Sequence, residues 1–169
     1  VETRFIASFL LNNTTTQQTK QQMQILDGKK VSEDIKNEIA AEVAQMKARG
    51  EKVPHLAAVI VGNDGASLTY VGSKVKSRER VGFESTMVRL PSTTSETELL
   101  KKIKELNEND DIDGFIVQLP LPKQIDTQKI IAAIDPSKDV DGFHPENFGK
   151  MALDMSTFIP ATPFGILEL

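Results

Sequence analysis

The sequence predicts an α/β domain of three layers, with a mostly parallel sheet between two layers of helices. Three observations carry that prediction. Leu56-Ala57-Ala58-Val59-Ile60-Val61 and Gly114-Phe115-Ile116-Val117-Gln118 are continuous apolar runs of strand length, as expected of strands covered on both faces. Segments with apolar residues at helical spacing alternate with these runs. Strands alternating with helices give right-handed crossovers, and so parallel pairing.

Taken in order, Val31, Ile35, Ile39, Val43 and Met46 recur at helical spacing, with Glu33 and Asp34 suited to the N-terminal end and Gly50 as the stop. The Leu56–Val61 run should be a central strand closed by Gly62. A helix over 66–80 follows and stops at Gly82, and residues 83–90 read as a second strand ended by Pro91. Ser95 and Glu98 form a capping box before a helix carrying Leu99, Leu100, Ile103 and Leu106. After the third strand, Asp126 caps a short helix through Ile134, which Pro136 breaks. Beyond Asp135 the chain reads as irregular, and Pro160-Ala161-Thr162-Pro163-Phe164-Gly165 looks like the start of a helix cut short.

Composition narrows the function. The 169 residues carry 20 Lys and Arg against 24 Asp and Glu, a net charge of -4, with no basic stripe interleaved with aromatics. Nucleic acid is therefore not the expected partner. The absence of Cys excludes disulfides, thiolate metal sites and a cysteine nucleophile. No apolar run approaches the roughly 20 residues that span a bilayer. Residues 1–24 differ from the rest: a short apolar stretch and a polar Asn/Thr/Gln run read as a disordered leader or translated extension. As a targeting signal it would be weak, having a single Arg4.

Several constellations could carry chemistry. Ser67, Tyr70 and Lys74 fall on one polar face of the 66–80 helix, opposite Leu68, Val71 and Val75. The bland alternative is a solvated helix face. Tyr70 is the sole Tyr, and its helix begins at the carboxyl end of a buried strand, where open α/β sheets bind ligands. Tyr-x-x-x-Lys spacing also occurs in short-chain dehydrogenases, but Gly62-x-x-Gly65 is too short for a dinucleotide fingerprint. Gln118 puts an amide at a strand terminus before a proline-rich turn, where it could equally cap backbone groups. Asp139 and Asp141 alternate on an extended segment, so only one can face a given site. His55 and His144 lack carboxylates at ligand spacing, and no metal site is expected.

Four motifs in order give a more specific signal. Tyr70-Val71-Gly72-Ser73-Lys74-Val75-Lys76, the run from Gly114 to Pro122, Lys138-Asp139-Val140-Asp141-Gly142-Phe143 and Pro160-Ala161-Thr162-Pro163-Phe164-Gly165 closely resemble the bifunctional methylenetetrahydrofolate dehydrogenase/methenyltetrahydrofolate cyclohydrolase family. The likeness begins near Ile25 and the Leu26-Asp27-Gly28-Lys29 start. It implies a folate-binding catalytic domain over 25–150 and, over 151–169, a linker to a Rossmann domain for NADP or NAD that this chain does not contain, its sequence having no glycine-rich pyrophosphate turn. It implies Lys74 as the catalytic lysine, Gln118 hydrogen-bonded to it, and Asp141 accepting from the pterin N–H groups. Tyr70 would stack on the folate ring, with Ser67, Val117, Leu119 and Pro120 lining the substrate. Asp139 is left to structure. The resemblance further implies tetrahydrofolate derivatives as substrates, a cytoplasmic enzyme (mitochondrial if the leader were a presequence) and a homodimer at full length. A non-catalytic flavodoxin-like binding module is the rival reading.

Overall fold

A computed structural model describes residues 26–62 and 65–169, apart from the side chains at 65–71 and 73. The expected leader lies outside the described residues. The elements run α1 (Gly28–Ala48), β1 (His55–Val61), α2 (Gly65–Val81), β2 (Glu84–Leu90), α3 (Glu96–Asn107), β3 (Gly114–Val117), α4 (Thr127–Ala133), α5 (Pro145–Ala152) and α6 (Ala161–Leu167).

The three strands pair in parallel in the order β2-β1-β3. Leu56 to Val59 lie opposite Gly114 to Val117 on one side, and His55 to Val61 opposite Glu84 to Leu90 on the other. The run of buried residues along β1 therefore follows from its central place: both of its faces are covered.

Successive β1 residues feed two separate cores. Ala57, Val59 and Val61 pack with Phe115 and Val117 against Leu99, Ile103 and Leu106 of α3 and Ile130 of α4. Ala58, Ile60 and Ile116 form a smaller core on the opposite face, with Val75 of α2, Met87 and Val140. α1 lies outside α2, held by an Arg80–Glu33 ion pair and by Arg80 Nη2 donating to Asn37. The three-layer α/β expectation holds.

Local chemistry sets the boundaries. Asp27 accepts from the Lys30 N–H, so α1 starts one turn earlier than the apolar periodicity suggested. Ser95 and Glu98 form the expected reciprocal box on α3, and Asp126 accepts from the N–H groups of Gln128 and Lys129 on α4.

The irregular stretch expected after Asp135 holds as far as His144, and α5, which the sequence did not lead us to expect, begins at Pro145. His144 caps it through its ring nitrogen, Pro145 stands at its first turn, and Glu146 adds an acid there. Its anchor is Asp139, only 2% exposed, whose Oδ2 accepts from His144 N at 2.8 Å and from Asn147 Nδ2 at 3.0 Å. Asn147 also donates to the Pro136 carbonyl and accepts from Thr157 Oγ1. That network fixes the return of the chain toward α6.

Two glycines make the site segment fit. A Cβ on Gly114 would sit 2.3 Å from Val140 Cγ1, so only glycine lets residues 138–140 run beside β3, where Phe115 N donates to Lys138 O. Gly142 has φ of +70°, and a Cβ there would lie 2.7 Å from the Ile159 carbonyl carbon and Pro160 N. Asp141 is thus held between β3 and the 159–162 segment.

Candidate active site

Lys74 projects from the middle of α2 and Asp141 from the extended segment that runs beside β3. Lys74 Nζ stands 3.6 Å from Asp141 Oδ1, with the two side chains 27% and 23% exposed. Burial dominates the electrostatics of Asp141 and pushes its carboxyl above the usual range. The charge of Asp139 pushes the same way, whereas Lys74 and Arg78 pull it down. The pair is therefore a largely buried acid facing an amine, with burial opposing the charge that Lys74 favours.

A cavity of about 480 Å³ opens beside this pair. Its floor is Leu56, Ile116 and Val140, and its polar wall is Lys74, Ser77, Arg78 and Asp141 with Ala161 and Thr162 of α6. Ser77 and Arg78 continue the Lys74 face at the next helical turn. The sequence reading passed over both, although their i+3 and i+4 spacing from Lys74 was the available signal.

The other expected residues are distributed differently. Val117 and Leu119 line a small apolar recess with Asp139, Asp141 and Phe143, adjoining the ion pair. Pro120 is exposed and follows a cis peptide bond from Leu119. The side chains of Ser67 and Tyr70 lie outside the described residues.

The expected hydrogen bond between Gln118 and Lys74 is corrected. Gln118 Nε2 donates to the Leu119 carbonyl at 2.7 Å, and its buried Oε1 has no hydrogen-bond partner among the described residues. The acceptor facing Lys74 is Asp141.

Asp139 and Asp141 diverge as alternation requires, one toward α5 and the other toward Lys74. Among the described residues no group of three or more His, Asp or Glu could hold a metal, and no helix is long and apolar enough to cross a membrane.

The model of the tetrahydrofolate dehydrogenase/cyclohydrolase catalytic domain matches residues 26–141. The chain belongs to this family. The match takes in the Tyr70–Lys76 motif, β3 with its proline-rich turn, and Asp141 itself. The bifunctional protein FolD of Flavobacterium psychrophilum is 84% identical over 147 residues, which is 87% of this chain and 50% of that protein. That of Christiangramia forsetii is 78% identical over the same share of this chain and 49% of its own. The chain thus spans about half the length of the curated relatives it matches.

Among solved structures, the Campylobacter jejuni bifunctional FolD superposes with a TM-score of 0.84 at 42% identity, over 87% of this chain and 52% of that one. The Trypanosoma brucei methylenetetrahydrofolate dehydrogenase-cyclohydrolase, complexed with NADP cofactor and inhibitor, gives a TM-score of 0.82 at 32% identity, over 86% of this chain and 50% of that one.

Proposed function

We propose that this chain is the folate-binding catalytic domain of a bifunctional FolD protein. That protein would oxidise 5,10-methylenetetrahydrofolate to the methenyl form with NADP or NAD and hydrolyse the product to 10-formyltetrahydrofolate. The observation that carries the reading is the meeting of Lys74 and Asp141, from two separate family motifs, across one cavity. Family membership sets aside the short-chain dehydrogenase and flavodoxin-like readings.

In the hydrolytic step water adds to the cationic methenyl carbon and must lose a proton. Lys74 is placed to take it, with Asp141 opposite to hold the ammonium that forms. A buried carboxylate beside the amine serves a second purpose, since it can accept from the pterin N–H groups and orient the ring. In the oxidative step hydride leaves the methylene carbon directly, and the part of this chain is to hold the folate in line.

NADP, when bound, supplies the hydride acceptor. The residues here do not fit its pyrophosphate, for the sequence has no glycine-rich turn to cradle it. The Trypanosoma brucei relative favours NADP over NAD as the cofactor of the complete protein. The curated relatives described above come from bacteria, which favours a cytoplasmic enzyme over a mitochondrial one. A homodimer at full length rests on the family resemblance alone.

The test is chemical protection in the complete protein. Tetrahydrofolate should shield Lys74 from an amine-modifying reagent while surface lysines such as Lys104 keep reacting. Equal labelling of Lys74 with and without folate would reject the site.

A further inference from the structure

Arg78 is the charged group of the cavity that the catalytic reading leaves without work. It lies on α2 one turn beyond Lys74, lines the same cavity, and is only 9% exposed. Its Nη1 is buried and has no hydrogen-bond partner among the described residues. A guanidinium is strongly hydrated in water and does not lose its proton, so burying it with a donor unmatched costs free energy that only an anion or further acceptors can offset. Asp141 does not meet that need. It stands within ion-pair distance of Lys74, whereas Arg78 has no ion pair within 4.0 Å among the described residues.

Among the described residues that line the cavity, the Arg78 guanidinium and the Lys74 amine therefore share a single carboxylate, Asp141. The hydroxyl-bearing Ser77 and Thr162 lie on the same wall. At about 480 Å³ the space is ample for a carboxylate or phosphate group. Planar guanidinium donors suit both, because they can bind two oxygens at once.

We infer that Arg78, supported by Lys74, forms an oxyanion subsite in this cavity, one that takes a carboxylate or phosphoryl group of a ligand. The inference goes beyond the folate reading and stands on Arg78, so its failure would leave the Lys74–Asp141 assignment intact.

The decisive experiment compares thermal unfolding of the chain in inorganic phosphate and in chloride at matched ionic strength, for wild type and for Arg78→Met. Methionine keeps an unbranched apolar stem, and exchanging a buried charge for a hydrophobe of similar size is often neutral or stabilising, so the variant should fold. Phosphate well above its dissociation constant should raise the wild-type midpoint by roughly 5 °C and leave Arg78→Met unmoved. Arg78→Lys, a point charge without the fork, should bind at least about tenfold more weakly than wild type.

A second readout needs no variant: the Arg78 Nε–H resonance of the wild-type chain should shift saturably on phosphate titration. Acetate run in parallel identifies the class. A stronger response to acetate assigns the subsite to a carboxylate-bearing ligand, and a stronger response to phosphate to a phosphoryl one. Equal thermal shifts in wild type and Arg78→Met, or an Arg78 resonance that responds saturably to neither anion, would overturn the inference.

Discussion

The two faces of the sheet are built from the same strands and serve opposite ends. On the α3/α4 face, Phe115, Leu99, Ile103 and Ile130 are fully buried and pack on alternate residues of β1 and β3. On the α2 face the buried apolar core among the described residues is Ala58, Ile60 and Ile116, and beside it Lys74, Arg78 and Asp141 line a cavity. The difference shows how one strand can carry stability and chemistry together. Its alternating side chains feed a larger apolar core on one side and, on the other, a smaller core bordered by charged groups. The same division recurs within three residues, where Asp139 is buried and hydrogen-bonded as an anchor of α5 and Asp141 faces the cavity.

The comparison can be broken first on the packed face. Phe115→Ala should cost about 3–5 kcal/mol, since the ring is fully buried and its removal leaves a cavity. Urea unfolding measures this, and a loss below about 1 kcal/mol would mean that the face is not tightly packed. The paired carboxylates give a smaller and sharper effect. Asp139→Asn should cost about 1–3 kcal/mol, because a neutral amide oxygen accepts from the His144 and Asn147 donors more weakly than the carboxylate does. Asp141→Asn should change stability much less and fall chiefly on folate binding. Equal destabilisation by the two variants would erase the distinction between anchor and site.

The smallest effect is a titration. Burial raises the folded-state pKa of Asp141 above the ordinary aspartate value of 3.8, so in the window between the unfolded and folded values the native state holds the extra proton. The contribution of this group is therefore a cost that is absent below the unfolded value and complete above the folded one, and stability falls by that share as pH rises through the window. Carboxyl NMR of Asp141 should give a midpoint above 3.8. A midpoint below it would show that Lys74 and Arg78 outweigh desolvation.

Much of this was legible because local chemistry and tertiary structure agree. The apolar runs at 56–61 and 114–117 announced buried parallel strands, and the Ser95/Glu98 box fixed the start of α3. The central place of β1, expected from its continuous apolar run, holds in the order β2-β1-β3. α5 escaped because it is only eight residues long and contains Gly149, and its placement is fixed by Asp139 and Asn147 from outside its own pattern. The His144-Pro145-Glu146 start was the signal that could have found it.

In the site, motifs located Lys74 and Asp141, yet their approach to 3.6 Å depends on Gly114 and Gly142 admitting the 138–142 segment. The hydrogen bond expected from Gln118 to Lys74 is not made, because a strand-terminal amide can bond locally, as the Gln118 N–H does with the Leu119 carbonyl.

The central claim, that the cavity face of the sheet does the chemistry through Lys74, is tested most directly by Lys74→Met in the complete protein, followed through loss of methenyltetrahydrofolate absorbance. Removing the proton acceptor should slow cyclohydrolase turnover by about 10²–10⁴-fold while the urea midpoint stays near that of wild type. A variant that folds and hydrolyses methenyltetrahydrofolate at the wild-type rate would contradict the account.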